Sequence, residues 1–303
     1  MKLDYDVIVV GSGPAGITSA IYLKRANINV CIMEKSAPGG QLNKSSTIEN
    51  YPGFNKISGP ELAYSFYEQI LNLNIPFINE EVIEIEDKAS YKIIKTNKKT
   101  YTCKGVILAL GRKPRSFDNE SVSSLEGKGV SYCSLCDGPL FKNQDVSIIG
   151  GGNSALEESL YLSDICKSVT IINRRDVLRG DKILVNKILN KKNINILYNS
   201  EVVEFNKKDD FLESLTIKTN DKLNKLEVKA CFIFIGYVPA TDFLNNLDIL
   251  DEKGYIKTDK NLKTDIPFIY ACGDTINKEV YQIVTATGEG AVSAISFIND
   301  YNS

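Results

Sequence analysis

Two glycine-rich turns recur in this chain in the same register. Each follows an almost wholly apolar run and opens a segment of helical composition. The first reads Val7-Ile8-Val9-Val10-Gly11-Ser12-Gly13-Pro14-Ala15-Gly16, and a second apolar run, Val30-Cys31-Ile32-Met33, then ends at Glu34. The other reads Val146-Ser147-Ile148-Ile149-Gly150-Gly151-Gly152-Asn153-Ser154-Ala155, and the run 169–172 ends at Asn173. Gly11 is as far from Glu34 as Gly150 is from Asn173. A strand buried on both faces of a parallel sheet reads as a continuous apolar run, so residues 5–10 and 146–149 are expected to be such strands. Residues from Ile17 to Arg25, and from about Ala155 to Asp164, supply the crossover helices of two βαβ units. One such turn is weak evidence, but two that are strand-flanked and in matched register predict an α/β chain with two Rossmann-like domains. With only two copies, the repeat is a duplicated architecture rather than a solenoid.

Glycines at 11, 13 and 16 allow a tight turn, close approach of backbone to a pyrophosphate and close helix–strand packing. The following helix start offers N–H groups and a positive dipole end to phosphates. Both turns therefore predict dinucleotide sites. At the end of the second strand, Glu34 can accept hydrogen bonds from ribose hydroxyls. The second site lacks that acid. Asn173 stands in its place, followed by Arg174, Arg175 and Arg179. A carboxylate would repel a 2′-phosphate, whereas guanidinium groups bind one bidentately. The second site is thus expected to prefer NADPH to NADH.

A length of 303 residues accommodates about two domains. The segments Ala109-Leu110-Gly111-Arg112-Lys113-Pro114 and Ile235-Gly236-Tyr237-Val238-Pro239-Ala240 are alike, each an apolar end followed by Gly, a short polar stretch and Pro. They bracket the second unit and read as the crossings into and out of an inserted domain. Further on, Ile269-Tyr270-Ala271-Cys272-Gly273-Asp274 is a short apolar strand ending in Gly-Asp. A helix over about 285–299 opens with small residues (Ala286, Gly288, Gly290, Ala291, Ala294) that suit close packing on a ligand.

Between the two units lies Cys133-Ser134-Leu135-Cys136-Asp137. The spacing is that of thiol–disulfide oxidoreductases. Half of a zinc site and a pair of structural thiols are the other readings of a lone CxxC. No second CxxC or CxxH partner exists, and the chain has no histidine, so no metal is expected. The same absence excludes Ser-His-Asp and Cys-His catalysis. Asp137 is then the nearest acid able to protonate a leaving thiolate, or else a turn or helix cap. The other five cysteines (Cys31, Cys103, Cys166, Cys231, Cys272) sit in apolar settings and read as small core residues. A net charge of −2 shows no basic footprint for nucleic acid. The longest apolar run, 230–235, is far too short to span a bilayer and reads as a buried strand. The N-terminus carries Asp4 and Asp6 and has no basic start or apolar stretch of a signal peptide, which points to the cytoplasm.

With these features together, the chain resembles the low-molecular-weight thioredoxin reductases over almost its whole length. The resemblance rests on the two glycine turns, Pro38-Gly39-Gly40-Gln41-Leu42, Glu49-Asn50-Tyr51-Pro52-Gly53, the CxxCDG at 133–138, Arg174-Arg175 with Arg179, and Ala271-Cys272-Gly273-Asp274. It implies a discontinuous FAD-binding domain over 1–113 and 241–303. An NADPH-binding domain over 114–240 would carry the redox dithiol and rotate on its two linkers. It implies a homodimer, with thioredoxin as protein partner. Around FAD it would place Gly11, Ser12, Gly13, Pro14, Ala15, Gly16, Glu34 and Lys35, then Gly40, Gln41, Leu42, Asn50, Val82, Ala109 and Gly111, and finally Gly273, Asp274, Gln282 and Ile283. Around NADPH it would place Gly150, Gly152, Asn153, Ser154, Ala155, Asn173, Arg174, Arg175 and Arg179. Cys136 would face the flavin, Cys133 would attack the thioredoxin disulfide, and Asp137 would give the proton. Two departures stand out. The family usually has His-Arg-Arg at 173–175 and often Arg-Gln where this chain has Tyr281-Gln282. Some relatives take electrons from ferredoxin instead of a nicotinamide; here the arginines suited to a phosphate are present.

Overall fold

The computed structural model describes residues 2–117 and 120–303. In chain order it opens with β1 (Tyr5–Val10), α1 (Pro14–Arg25), β2 (Val30–Glu34), α2 (Gly59–Asn72) and β3 (Phe77–Asn79), then β4 (Val82–Asp87), β5 (Lys92–Thr96), β6 (Thr100–Leu108) and β7 (Arg112–Pro114). Next come α3 (Glu120–Leu125), β8 (Val130–Ser131), α4 (Ser134–Asp137), β9 (Asp145–Ile149), α5 (Asn153–Ile165), β10 (Ser168–Ile172), α6 (Lys182–Leu189) and β11 (Ile194–Leu197). The chain continues through β12 (Ser200–Lys208), β13 (Phe211–Thr219), β14 (Lys222–Glu227), β15 (Ala230–Ile233), β16 (Tyr237–Pro239), β17 (Ile269–Ala271) and α7 (Ile283–Tyr301). The fold is α/β with two Rossmann-like units. One comprises Met1–Asn43, Ile48–Lys113 and Val238–Ser303; the other comprises Lys44–Thr47 and Pro114–Tyr237.

In the first unit the strand order is β3-β2-β1-β6-β5-β4, with β17 also on β6. β1 is parallel to both β2 (Val7↔Val30) and β6 (Val7↔Gly105). β6 is long enough to serve two neighbours. Its first half pairs antiparallel with β5, and its last three residues pair parallel with β17. Val7, Ile8 and Val9 are wholly buried in this core, as the unbroken apolar run requires. Among the small residues at the start of α7, Gly290 lets the helix approach α1 closely. A Cβ on Gly290 would collide with the Ala15 carbonyl of α1, and Ser19 Oγ donates to Gly290 O at 2.9 Å. At Gly290 the space is taken by the α1 backbone. This close packing holds the start of α1 rigidly.

The second unit carries a parallel sheet in the order β11-β10-β9-β15-β8 and a separate antiparallel sheet β12-β13-β14. The apolar run at 230–235 supplies β15, which lies between β9 and β8. The antiparallel sheet is turned by two-residue loops, Asp209-Asp210 and Asn220-Asp221, all four residues at positive φ (44° to 67°). That is the geometry of tight hairpins whose twist matches their strands, and Asp and Asn tolerate it best after glycine. The two crossings pair with each other as a two-stranded ribbon of β7 and β16. Arg115 N donates to Gly236 O at 2.9 Å and Ala240 N to Gly111 O at 3.2 Å, which extends the ribbon at both ends.

Candidate active site

Both glycine turns end in helices whose N-termini are open. Gly13 and Gly152 are the N-cap residues of α1 and α5; neither helix has a side-chain cap or an acid in its first turn. A Cβ built on either glycine would meet nothing within 4 Å. Each helix start therefore presents unpaired N–H groups and an uncompensated positive dipole end to open space, as a phosphate site requires. The first glycine of each turn works alike. Gly11 (φ +103°) and Gly150 (φ +142°) adopt backbone geometry that L side chains rarely take. A Cβ there would strike the carbonyl of Ala109 after β6 and of Phe234 after β15. Ala109 is thus next to the first turn because β6 lies beside β1.

Around α1, the first unit gathers residues far apart in sequence. Glu34 Oε2 accepts from both the N–H and Oγ of buried Ser12, each at 3.1 Å, and its Oε1 accepts from Ser36 N. The carboxylate is thus fixed at the rim of the turn. A 3-10 turn over Gly40–Lys44 packs Gly40 against the Gly13 backbone, while Gln41 Nε2 donates to Arg112 O at 2.7 Å. Asn50 Nδ2 donates to Gln282 Oε1, at the N-cap of α7, which begins with Ile283. Lys35 pairs with Glu81 at 2.9 Å, at the foot of β4 and next to Val82.

Asp274, just past β17, is held by cations. Arg112 donates to its Oδ2 from Nε (3.3 Å) and Nη2 (3.1 Å), and Lys278 lies at 3.6 Å. The Arg112 guanidinium also stacks 3.7 Å over the Tyr281 ring. Tyr281 is thus the platform for a cation that reaches the same carboxylate from β7. Lys278 pairs with Glu289 at 2.6 Å, and Gly273 N donates to Glu289. Burial raises the Glu289 carboxyl above its ordinary value despite the ammonium group. Neither Arg112 nor Lys278 carries a motif that sequence reading would single out.

In the second unit the loop 174–179 folds back onto the glycine turn. Asn173 is buried, and its Nδ2 donates to the carbonyls of Arg175 (3.0 Å) and Val177 (2.8 Å). Its Oδ1 lies where a Cβ on Gly151 would go, and Arg179 N donates to Gly151 O at 2.7 Å. Asn173 therefore shapes the loop from within, whereas Arg174, Arg175 and Arg179 are exposed. Asn153 is likewise engaged, through Asp181 at the start of α6 (2.7 and 3.1 Å).

Cys133 and Cys136 form a disulfide across the α4 turn, with Cα atoms 5.4 Å apart. Cys136 is exposed and Cys133 half-buried. Ser131 ties the centre together: its Oγ donates to Asp137 Oδ2 at 2.6 Å and accepts from Cys133 N at 3.0 Å. Sequence reading missed Ser131, because its role comes from β8 ending beside the turn rather than from any spacing. The five remaining cysteines are buried thiols. Burial pushes Cys166 and Cys272 up to about 11 and Cys103 and Cys231 up to about 12, so none is a thiolate near neutrality. Among the described residues, no group of three His, Cys, Asp or Glu side chains could hold a metal ion. Nor is any described helix long and apolar enough to cross a membrane.

A family model described as pyridine nucleotide-disulphide oxidoreductase matches residues 5–290. The chain is 44% identical over 294 residues to a thioredoxin reductase of Ureaplasma parvum, covering 96% of this chain and 95% of that protein. It is 37% identical over 294 residues to a thioredoxin reductase of Bacillus subtilis, covering 96% and 93%. Among solved structures, it is similar to Lactococcus lactis thioredoxin reductase in its FR conformation, with a TM-score of 0.96 and 38% identity over 98% of both chains.

Proposed function

The chain belongs to the pyridine nucleotide-disulphide oxidoreductase family, and within it we propose that the protein is an NADPH-dependent thioredoxin-disulfide reductase using FAD. The observation that carries this reading is a disulfide with one exposed sulfur, in the same unit as an open helix start flanked by three exposed arginines. When bound, the flavin would supply hydride-accepting, two-electron chemistry.

The chain's own residues do the rest. Backbone N–H groups of Gly13, Ala15 and Gly16 would hold the FAD pyrophosphate, and Glu34, preset by Ser12, would accept from the ribose. Asp274, braced by Arg112, together with Gln41, Asn50 and Gln282, would hold the cofactor beyond its pyrophosphate. Gly152 to Ala155 would hold the NADPH pyrophosphate, and Arg174 and Arg175 would grip its 2′-phosphate. Once reduced, Cys133 as thiolate attacks one sulfur of the thioredoxin disulfide, and a mixed disulfide forms as a thioredoxin thiolate leaves. Cys136 then attacks the Cys133 sulfur, expels the second thiolate and restores the internal disulfide. Asp137 gives a proton to a leaving thiolate and is reloaded from solvent. The working form is a homodimer in the cytoplasm, which sedimentation of the purified holoprotein tests directly.

The deciding assay is turnover of NADPH with the thioredoxins of the same organism. Robust NADPH oxidation that needs thioredoxin supports the reading; none with any of them sinks it. A sharper test isolates the acid. Asp137→Asn keeps an acceptor for Ser131 but cannot give a proton. Thioredoxin turnover is expected to fall by about a hundredfold, the low end for a lost general acid, while NADPH still bleaches the flavin at the parent rate. Unchanged turnover would remove Asp137 from the mechanism.

A further inference from the structure

Beneath the dithiol turn lies a carboxyl group that the mechanism above leaves unused. Glu158, on α5, is 6% exposed, and Ser134, the residue after Cys133, is wholly buried. Glu158 Oε2 and Ser134 Oγ are both buried without a hydrogen-bond partner among the described residues. The hydroxyl is near enough to favour the charged carboxylate, yet no hydrogen bond of normal geometry closes between them. Burial, reinforced by the negative charge of Glu157, outweighs the Ser134 hydroxyl and the Ser46 backbone and pushes the Glu158 carboxyl up to about 8. Two orphaned polar groups under a reactive turn call for an explanation, since a buried unsatisfied group is costly to keep.

No cation is among the influences that set the Glu158 titration, although α6, which packs on α5, carries Lys182 and Lys187. The helix of Glu158 itself contributes Glu157 and, one turn on, Tyr161, whose phenol is raised first by burial and then by Glu158. The α4 turn contributes Cys133, Cys136 and Asp137, and Asp137 is engaged with Ser131. The 3-10 turn Gly138–Phe141 brings no titratable side chain. The segment Lys44–Thr47, which clusters with this unit, brings Lys44, and that side chain is not among the influences that set the carboxyl's titration.

We propose that Glu158 is a positioning residue for the dithiol: its neutral carboxyl and the Ser134 hydroxyl together hold the α4 turn in the geometry in which Cys133 and Cys136 exchange. The inference rests on the disulfide-reductase reading. When Glu158 ionises, an unpaired negative charge sits under the turn. The charge opposes formation of a thiolate at either sulfur and disturbs the packing beneath Ser134. Thiol exchange ordinarily speeds up with pH as thiolate accumulates. Here the rate is instead expected to fall as pH rises through about 8.

The test uses pre-reduced holoenzyme and follows its oxidation by stopped flow from pH 6 to 10, with thioredoxin and separately with a small aromatic disulfide. Parent enzyme should show the falling limb with both oxidants. Glu158→Gln cannot ionise but keeps the size and polarity of the side chain under the turn, so it should lose that limb while keeping the parent rate at pH 7 to within about threefold. Glu158→Ala should be about tenfold slower at every pH, as for a small misplacement of the exchanging sulfurs. A Glu158→Gln profile that overlays the parent's overturns the proposal, and it decides the matter even if the alanine variant does not fold. Oxidation by the small disulfide but not by thioredoxin would count against the thioredoxin reading, and the limb seen with the small disulfide would still decide the role of Glu158.

Discussion

Cys133→Ser and Cys136→Ser should each abolish thioredoxin reduction while the purified protein stays yellow and folded. The loss should be at least about a thousandfold, as for removal of a covalent nucleophile. No other cysteine can substitute, because the remaining five are buried and their thiols are raised well above neutrality. The fold should survive, because the disulfide bridges one short turn and both cores lie elsewhere. Turnover, flavin content and thermal unfolding of the two variants measure all of this together. Near-normal turnover of either would show that electrons bypass the pair. Loss of both flavin and fold would make the pair structural instead.

The second large effect concerns cofactor choice. Arg174→Ala combined with Arg175→Ala should raise KM for NADPH far more than KM for NADH. Each charge-assisted bond to a phosphate contributes about 1.5–3 kcal/mol, so discrimination should fall by one to several powers of about ten. The arginines are free to change because they are exposed, whereas the loop beneath them is shaped by Asn173. The double variant should therefore keep its thermal stability within about 0.5 kcal/mol, as surface changes do. Equal losses with both nucleotides would point to a disturbed loop and not to a missing phosphate contact.

What was legible in the sequence was whatever depends on local chain chemistry. Strands buried on both faces announced themselves by unbroken apolar runs, and the glycine turns by needs that only glycine meets. The sheet β12-β13-β14 was not foreseen, although its signals were present: Val202, Leu212, Leu215 and Ile217 are buried, and the Asp-Asp and Asn-Asp pairs sit at its turns. Such two-residue turns are weaker markers without glycine. Asn173 was read as a cofactor contact from its position at the strand end, but where its amide bonds is decided by how the loop after it folds. The Arg112–Tyr281–Asp274 cluster joins β7, the start of α7 and the end of β17, and no periodicity links such distant segments. Ser131 and Glu158 escaped notice for the same reason. Their meaning comes from what the fold places beside them.

The ribbon of β7 and β16 makes the inserted unit a guest whose two ends enter and leave by one doorway. To its host, the guest amounts to a hairpin loop, since the entry and exit strands are hydrogen-bonded neighbours. Loop-closure entropy grows only slowly with length, so a guest of this size burdens the host hardly more than a short connection would. Each unit also has its own core of separate buried clusters. Descent could therefore remodel one tenant without disturbing the other. The nucleotide turn, the arginine loop and the dithiol can drift in the guest while the host's parallel sheet stays intact.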